Sequence, residues 1–225
     1  MNVIGACGRV GGALSARLRE RGVDVREEAV DLVLLCVPDR AIAEVAASVE
    51  PGPWVGHTSG GTPLSALEPH ARRFSLHPLQ TFTHDRGPEQ LDGAWAAVTG
   101  ETEEAVAVAG ELARALGLHP FPLADERRAL YHAGAAIASN YLVTLRRIAG
   151  GLFAEAGAPP EALDPLMRRV IDNGFQLTGP IERGDWETVE RHRTAIAETA
   201  PHLLATYDEL ARLTAGNRLL QGTSP

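Results

Sequence analysis

Residues 3–12 read VIGACGRVGG, an apolar strand that runs through spaced glycines into a helix. No other stretch constrains the fold as strongly. Glycines leave backbone N–H groups open at such a turn, and the helix N-terminus behind them favours negative charge. Gly5, Gly8 and Gly11 form G-x-x-G-x-x-G, and Arg9 adds a cation at the helix start beside Val10. The alternative is a turn whose glycines only let the helix pack tightly on its strand.

The alternation continues along the first half. NVIG, DLVLLCVPD, PWVGHTSG, RRFSLHPLQTF, GAWAAVTG and HPFPL read as strands or contain them. RVGGALSARLRERG (ended by Gly22), AIAEVAASV and EEAVAVAGELARALG read as helices. Strands alternating with helices predict a parallel sheet covered on both faces. After Leu123 the pattern is helical only: a long helix with Gly150 and Gly151 as candidate kinks, a second over PPEALDPLMRRVIDNGFQL, and a third that Pro201 kinks or splits. The expected organisation is an α/β domain over 1–124 and an all-α domain over 125–225. Asp185 is placed to cap the last long helix.

The glycine turn predicts a dinucleotide phosphate site, written as Gly5, Gly8, Arg9, Val10 and Gly11. A dinucleotide fold then places a ribose-binding residue about 20 positions on, at the end of its second strand. Here GVDVREEAVDLVLL offers Arg26, which suits a 2′-phosphate and NADP, followed by Glu27 and Glu28, which could serve NAD. About five residues then lead to the next strand, where a parallel crossover needs a dozen or more. The sheet is therefore expected to be shortened after strand 2, with a shallow adenosine side.

GRVG, CVPD, HTSG, SLHPLQTF, YHAGAAIASNYLVTL and TGPIERGD, in that order, resemble the bacterial proteins in which a Rossmann-like domain precedes a DUF2520 domain. The resemblance covers nearly the whole chain. It implies the architecture of the 6-phosphogluconate dehydrogenase-like reductases, a group that includes pyrroline-5-carboxylate, ketopantoate and F420-dependent NADP reductases. It also implies that Val37, Pro38 and Asp39 of CVPD pass along a nicotinamide ribose. Relatives with this architecture pair through the helical half, so a homodimer is expected.

Ligands of open α/β sheets bind at the carboxyl ends of the strands. HTSG puts His57 and Ser59 there, and SLHPLQTF puts His77 and Gln80 there, as candidate catalytic or substrate-binding groups. On the long helix His132 and Ser139 are seven residues apart, so they lie about 20° apart on one face, with Asn140 nearby. Arg183, in a glycine-flanked turn, could fork onto a substrate carboxylate. All 21 basic Lys/Arg side chains are arginine, so no lysine can be an acid, base or Schiff-base nucleophile. Hydroxyacid dehydrogenases of the resembled superfamily carry a catalytic lysine four residues before the helix asparagine, a position that is Ala136 here if that asparagine is Asn140. Histidine titrates near neutral pH, so His77 and His132 are the expected proton donors, with Tyr131 a second choice.

The expected activity is NAD(P)H-dependent reduction of a small carbonyl or imine acid. The alternative is a non-catalytic nucleotide-binding dimer with a regulatory or scaffold role. A metal enzyme using His57, His77, His84 or His132 lacks local ligand spacing, and no metal site is expected. A net charge of −8 argues against a nucleic-acid partner. No apolar run reaches membrane-spanning length. With two cysteines and no signal-peptide pattern, the cytoplasm is the expected compartment.

Overall fold

The computed structural model describes residues 1–216. Two compact units divide the chain, one over 1–141 and the other from Leu142 onward. The change of pattern at 124/125 thus falls inside the first unit, which keeps the first helix after the sheet.

The first unit holds a six-stranded sheet in sequential order: β1 (Asn2–Ile4), β2 (Leu32–Leu35), β3 (Trp54–His57), β4 (Arg73–Leu79), β5 (Trp95–Gly100) and β6 (His119–Pro122). Every neighbouring pair is parallel except β4 with β5. The parallel sheet expected from the sequence is present, with this one antiparallel pair as the exception. No α-helix lies between Leu79 and Trp95, so the chain returns beside the strand it has just left.

Burial alternates along the strands. Leu34, Phe74, Leu76, Ala96 and Val98 share a core with Leu14 and Leu18 of α1 (Arg9–Glu20) and with Ala109 and Leu112 of α3 (Glu103–Ala115). Val33, Leu35 and Val55 face the other way, onto Ile42 and Ala46 of α2 (Ile42–Ala47) and onto Leu64 and Leu67. The same alternation turns Ser75, His77, Ala97 and Thr99 toward α4 (Arg128–Ala136): Arg128 reaches Thr99, and Tyr131 reaches His77. Thr102 caps α3, its hydroxyl accepting from the Ala105 N–H at 3.1 Å.

β1 is the sheet's edge strand. The segment expected as a second strand, 23–26, makes two main-chain bonds with Met1: its amine donates to the Asp24 carbonyl and the Arg26 N–H to the Met1 carbonyl. Too short to form a strand, it turns back into β2. The expected shortening is present.

Helical residues run from Arg128 to Glu155 through a π turn at Ile137–Tyr141, with α5 over Leu142–Glu155. The irregularity falls at this turn and not at Gly150 and Gly151, which stay inside α5. In the second unit α6 (Leu163–Asp172), α7 (Pro180–Arg183), α8 (Trp186–Thr199) and α9 (Leu204–Ala215) follow. Pro201 splits α8 from α9, and the Asp185 carboxylate caps α8 by accepting from the Thr188 N–H at 3.1 Å. Among the described residues no helix is long and apolar enough to cross a membrane.

Candidate active site

The glycine turn is built as its spacing requires. Gly5 has φ +92°, and a Cβ there would lie 2.4 Å from the Cys36 carbonyl oxygen. A Cβ on Gly11 would lie 2.2 Å from the Gly5 oxygen, so α1 sits directly on the end of β1. Gly8 is exposed at the N-cap, and no side chain caps the helix by a hydrogen bond. The first turn of α1 carries no acidic residue, and Arg9 is exposed on it. Open N–H groups, a bare backbone and an absence of negative charge fit a pyrophosphate. Cys36 packs beneath the turn, and burial pushes its thiol up to about 12, which makes it a packing group rather than a nucleophile.

Arg26 lies beside Met1, at the amino end of β1 and away from the glycines. Its guanidinium donates to the Ala29 carbonyl at 2.9 Å and pairs with Asp24 at 3.4 Å. The expectation that it meets a 2′-phosphate is corrected: residues 27–31 must return to β2, so the segment ends before it reaches the turn.

A cavity of about 630 Å³ opens where β4 ends, against α4 and the π turn. His77, Gln80 and Thr81 line one side, and Tyr131, His132, Ser139 and Asn140 line the other. Arg128, Tyr131, His132 and Ala135 are spaced i, i+3, i+4, i+7, which is one helical face. The π turn carries Ser139 and Asn140, and the Ser139 hydroxyl donates back to the Ala135 carbonyl at 2.7 Å. Ala136 also lines the cavity.

His77 and Tyr131 share a hydrogen bond of 2.7 Å between Nδ1 and the phenol. The His77 and His132 rings meet edge to face, with centroids 5.9 Å apart. Burial, with His132 and Arg128 nearby, holds His77 down at about 4, while Asp39 favours its proton. Burial pushes the Tyr131 phenol up to about 12, opposed by Arg128. At neutral pH both groups are uncharged. His77 meets Tyr131 as a neutral hydrogen-bonding group.

The loop after β3 roofs the pair. A Cβ at Gly60 would lie 2.8 Å from both His77 Nε2 and His132 Cδ2, and one at Gly61 would lie 3.1 Å from His132 Nδ1. No side chain fits between loop and imidazoles. Ser59 spends its hydroxyl inside this loop, accepting from the Gly61 and Thr62 N–H groups at 3.2 and 3.0 Å. His57 is completely buried, its Nδ1 accepting from the Ser59 N–H at 3.2 Å, and burial pulls it down to about 3. The structure does not bring the side chains of His57 and Ser59 to the cavity: the first is sealed in the core at the end of β3, and the turn occupies the second. Gln80 does line it, while also donating to the Gln90 carbonyl at 3.0 Å. Val37 is partly covered and Pro38 and Asp39 are exposed, at the end of β2. Arg183 belongs to the second unit, where its guanidinium donates to the Thr178 carbonyl at 2.7 Å. Gly60, Gly61 and Arg128 escape a reading of the sequence by motif. The double glycine after HTS and the i−4 spacing of Arg128 from His132 are the signals that point to them.

Among the described residues, no group of three or more His, Cys, Asp or Glu side chains is arranged to hold a metal ion.

A sheet opened by a strand–glycine–helix turn, with a helical region following, defines a Rossmann-like protein. Within that class the chain belongs to the DUF2520 family, a domain of unknown function that matches residues 94–214. No curated protein matches the chain. Among solved structures, protein TM1727 from Thermotoga maritima is 26% identical, with a TM-score of 0.77 over 94% of this chain and 95% of that one. Protein BF3122 from Bacteroides fragilis, a candidate NADP oxidoreductase, is 21% identical, with a TM-score of 0.76 over 95% and 96%. The pyrroline-5-carboxylate reductase of Streptococcus pyogenes is 14% identical, with a TM-score of 0.59 over 93% and 96%.

Proposed function

We propose that this protein is a reductase of the 6-phosphogluconate dehydrogenase-like group that uses NADPH or NADH on a small carbonyl or imine acid. The reading is carried by one observation: a glycine turn fit for pyrophosphate and a cavity holding His77, Tyr131 and His132 belong to the same parallel-stranded unit. The likeness to TM1727, BF3122 and the pyrroline-5-carboxylate reductase supports the fold that the reading needs. Bound NAD(P)H would supply a hydride.

The chain's own residues would do the rest. Backbone N–H groups at Arg9, Val10 and Gly11 would hold the phosphates over the bare Gly8, whose own N–H donates to the Gly5 carbonyl at 2.9 Å. Ser139, Asn140, Gln80 and Thr81 would orient the substrate by hydrogen bonds. His77, uncharged and tied to Tyr131, would offer a hydrogen bond without giving up a proton. His132, exposed on the cavity, would be the group that moves one. An iminium substrate brings its own proton and asks less of this site than a keto acid does. The test is NADPH and NADH oxidation against a panel of small keto acids and cyclic imino acids. Turnover of one class supports the reading. Nucleotide binding without turnover of either moves the weight to the non-catalytic dimer.

The homodimer belongs to the same proposal. In the second unit Leu166, Ile171, Phe175, Leu177 and Leu213 are 53–71% exposed, an apolar surface that a second copy would cover. Sedimentation at micromolar concentration is expected to give twice the chain mass; a monomer would sink this part.

A further inference from the structure

Arg128 has no step in the proposed chemistry, yet it is 1% exposed. One Nη donates to the Ser59 carbonyl and the other to the Thr99 hydroxyl at 3.0 Å. Its Nε is buried without a hydrogen-bond partner. The nearest carboxylate, Asp125, stands 3.9 Å from that Nε, and both its oxygens accept the Leu64 N–H at 3.1 Å. A buried cation usually has a close partner. This one is held mainly by two neutral oxygens, so its charge is incompletely answered. Asp39 is the further negative neighbour, but it is exposed and water screens it.

Arg128 stands on α4, the helix that supplies Tyr131 and His132 to the cavity wall. Arg128 is on the same helical face as Tyr131 and His132, and it disfavours a proton on both His57 and His77. The cavity lining contains no aspartate or glutamate. It does contain hydrogen-bonding side chains at Gln80, Thr81, Ser139 and Asn140.

We infer that Arg128 is a positioning residue with two effects: it fastens the Ser59–Gly61 loop over His77 and His132, and its buried charge selects a carboxylate-bearing substrate for the cavity. The inference rests on the reductase reading for the cavity's role. The first effect follows from the bond to the Ser59 carbonyl, because Gly60 and Gly61 lie against both imidazoles only while that carbonyl is held. The second follows from low polarity around the guanidinium, where a positive charge acts over a longer range than at a surface.

The test compares pyruvate with pyruvamide, a neutral analogue of nearly equal size, by following the His77 and His132 ring protons in NADPH-loaded protein. In the wild type, pyruvate is expected to shift these resonances saturably and pyruvamide to need at least about tenfold more. Arg128→Gln keeps a donor for the Ser59 carbonyl but loses the charge. It should erase the preference and raise the His77 titration by about half a unit or more, whereas Arg128→Lys should keep the preference. A merely structural role would not separate Gln from Lys in this way. Equal response to both probes in the wild type, no response to either, or a preference that survives Arg128→Gln would overturn the inference. The wild-type comparison decides even if a variant does not fold. Failure with NADPH still bound strikes Arg128 alone, whereas failure to bind NADPH strikes the reductase reading itself.

Discussion

Lowering the pH from 6.5 to 4.5 is expected to remove about 3–5 kcal/mol of folding stability through two buried histidines. His57 is held at about 3 and His77 at about 4, against an ordinary 6.5. Below 6.5 the unfolded chain takes up protons that the folded chain refuses. Stability is therefore fully present above 6.5 and falls as the pH falls, flattening only below the folded values. Each histidine contributes a slope of about 1.4 kcal/mol per pH unit while it is protonated only in the unfolded state. Urea unfolding across this range should show a steadily falling midpoint. His57→Gln should shallow the slope, because one of the two protons is then gone. A midpoint unchanged between pH 6.5 and 4.5 would mean that these imidazoles are not buried as described.

The second large effect is on rate. For a keto acid, His132→Gln is expected to slow reduction by about 10²–10⁴-fold at pH 7, with much less loss for a cyclic imine. Carbonyl reduction leaves charge on oxygen that a nearby donor must meet, and the chain has no lysine to meet it. His132 is exposed on the cavity, whereas His77 is locked to Tyr131 and uncharged. His77→Gln should therefore cost less than His132→Gln. Steady-state rates for both variants on both substrate classes make the comparison. A larger loss in the His77 variant would reverse the roles of the two histidines.

Much of this arrangement was legible in the sequence because short-range rules govern it. The glycine turn, the strand–helix alternation, the Asp185 cap and the break at Pro201 each follow from a few adjacent residues. The missing crossover could be counted directly in the stretch after Arg26. Three features resisted. The direction of β5 depends on what the Gln80–Ala94 connection packs against, and composition does not reveal that. Arg26 looked suitable by residue type, but the register of its segment against Met1 decides where it ends. His57 and His77 read alike in sequence and share a face of the sheet, His57 standing opposite Ser75, yet the first is sealed in the core and the second lines the cavity. Arg128 was hidden for a related reason: an arginine among ADERRAL reads as surface until a buried acceptor such as Thr99 is in view.

The turn at residues 5–11 is expected to hold a nicotinamide nucleotide. Calorimetric titration of NADPH and NADH into the wild-type protein tests this most directly. Saturable binding of at least one nucleotide is expected at one site per chain, retained in His132→Gln, which leaves the turn untouched. Arg26→Ala is expected to leave that binding unchanged, since Arg26 sits at the wrong end of β1. Absence of binding by either nucleotide at millimolar concentration would contradict the nucleotide role of the turn.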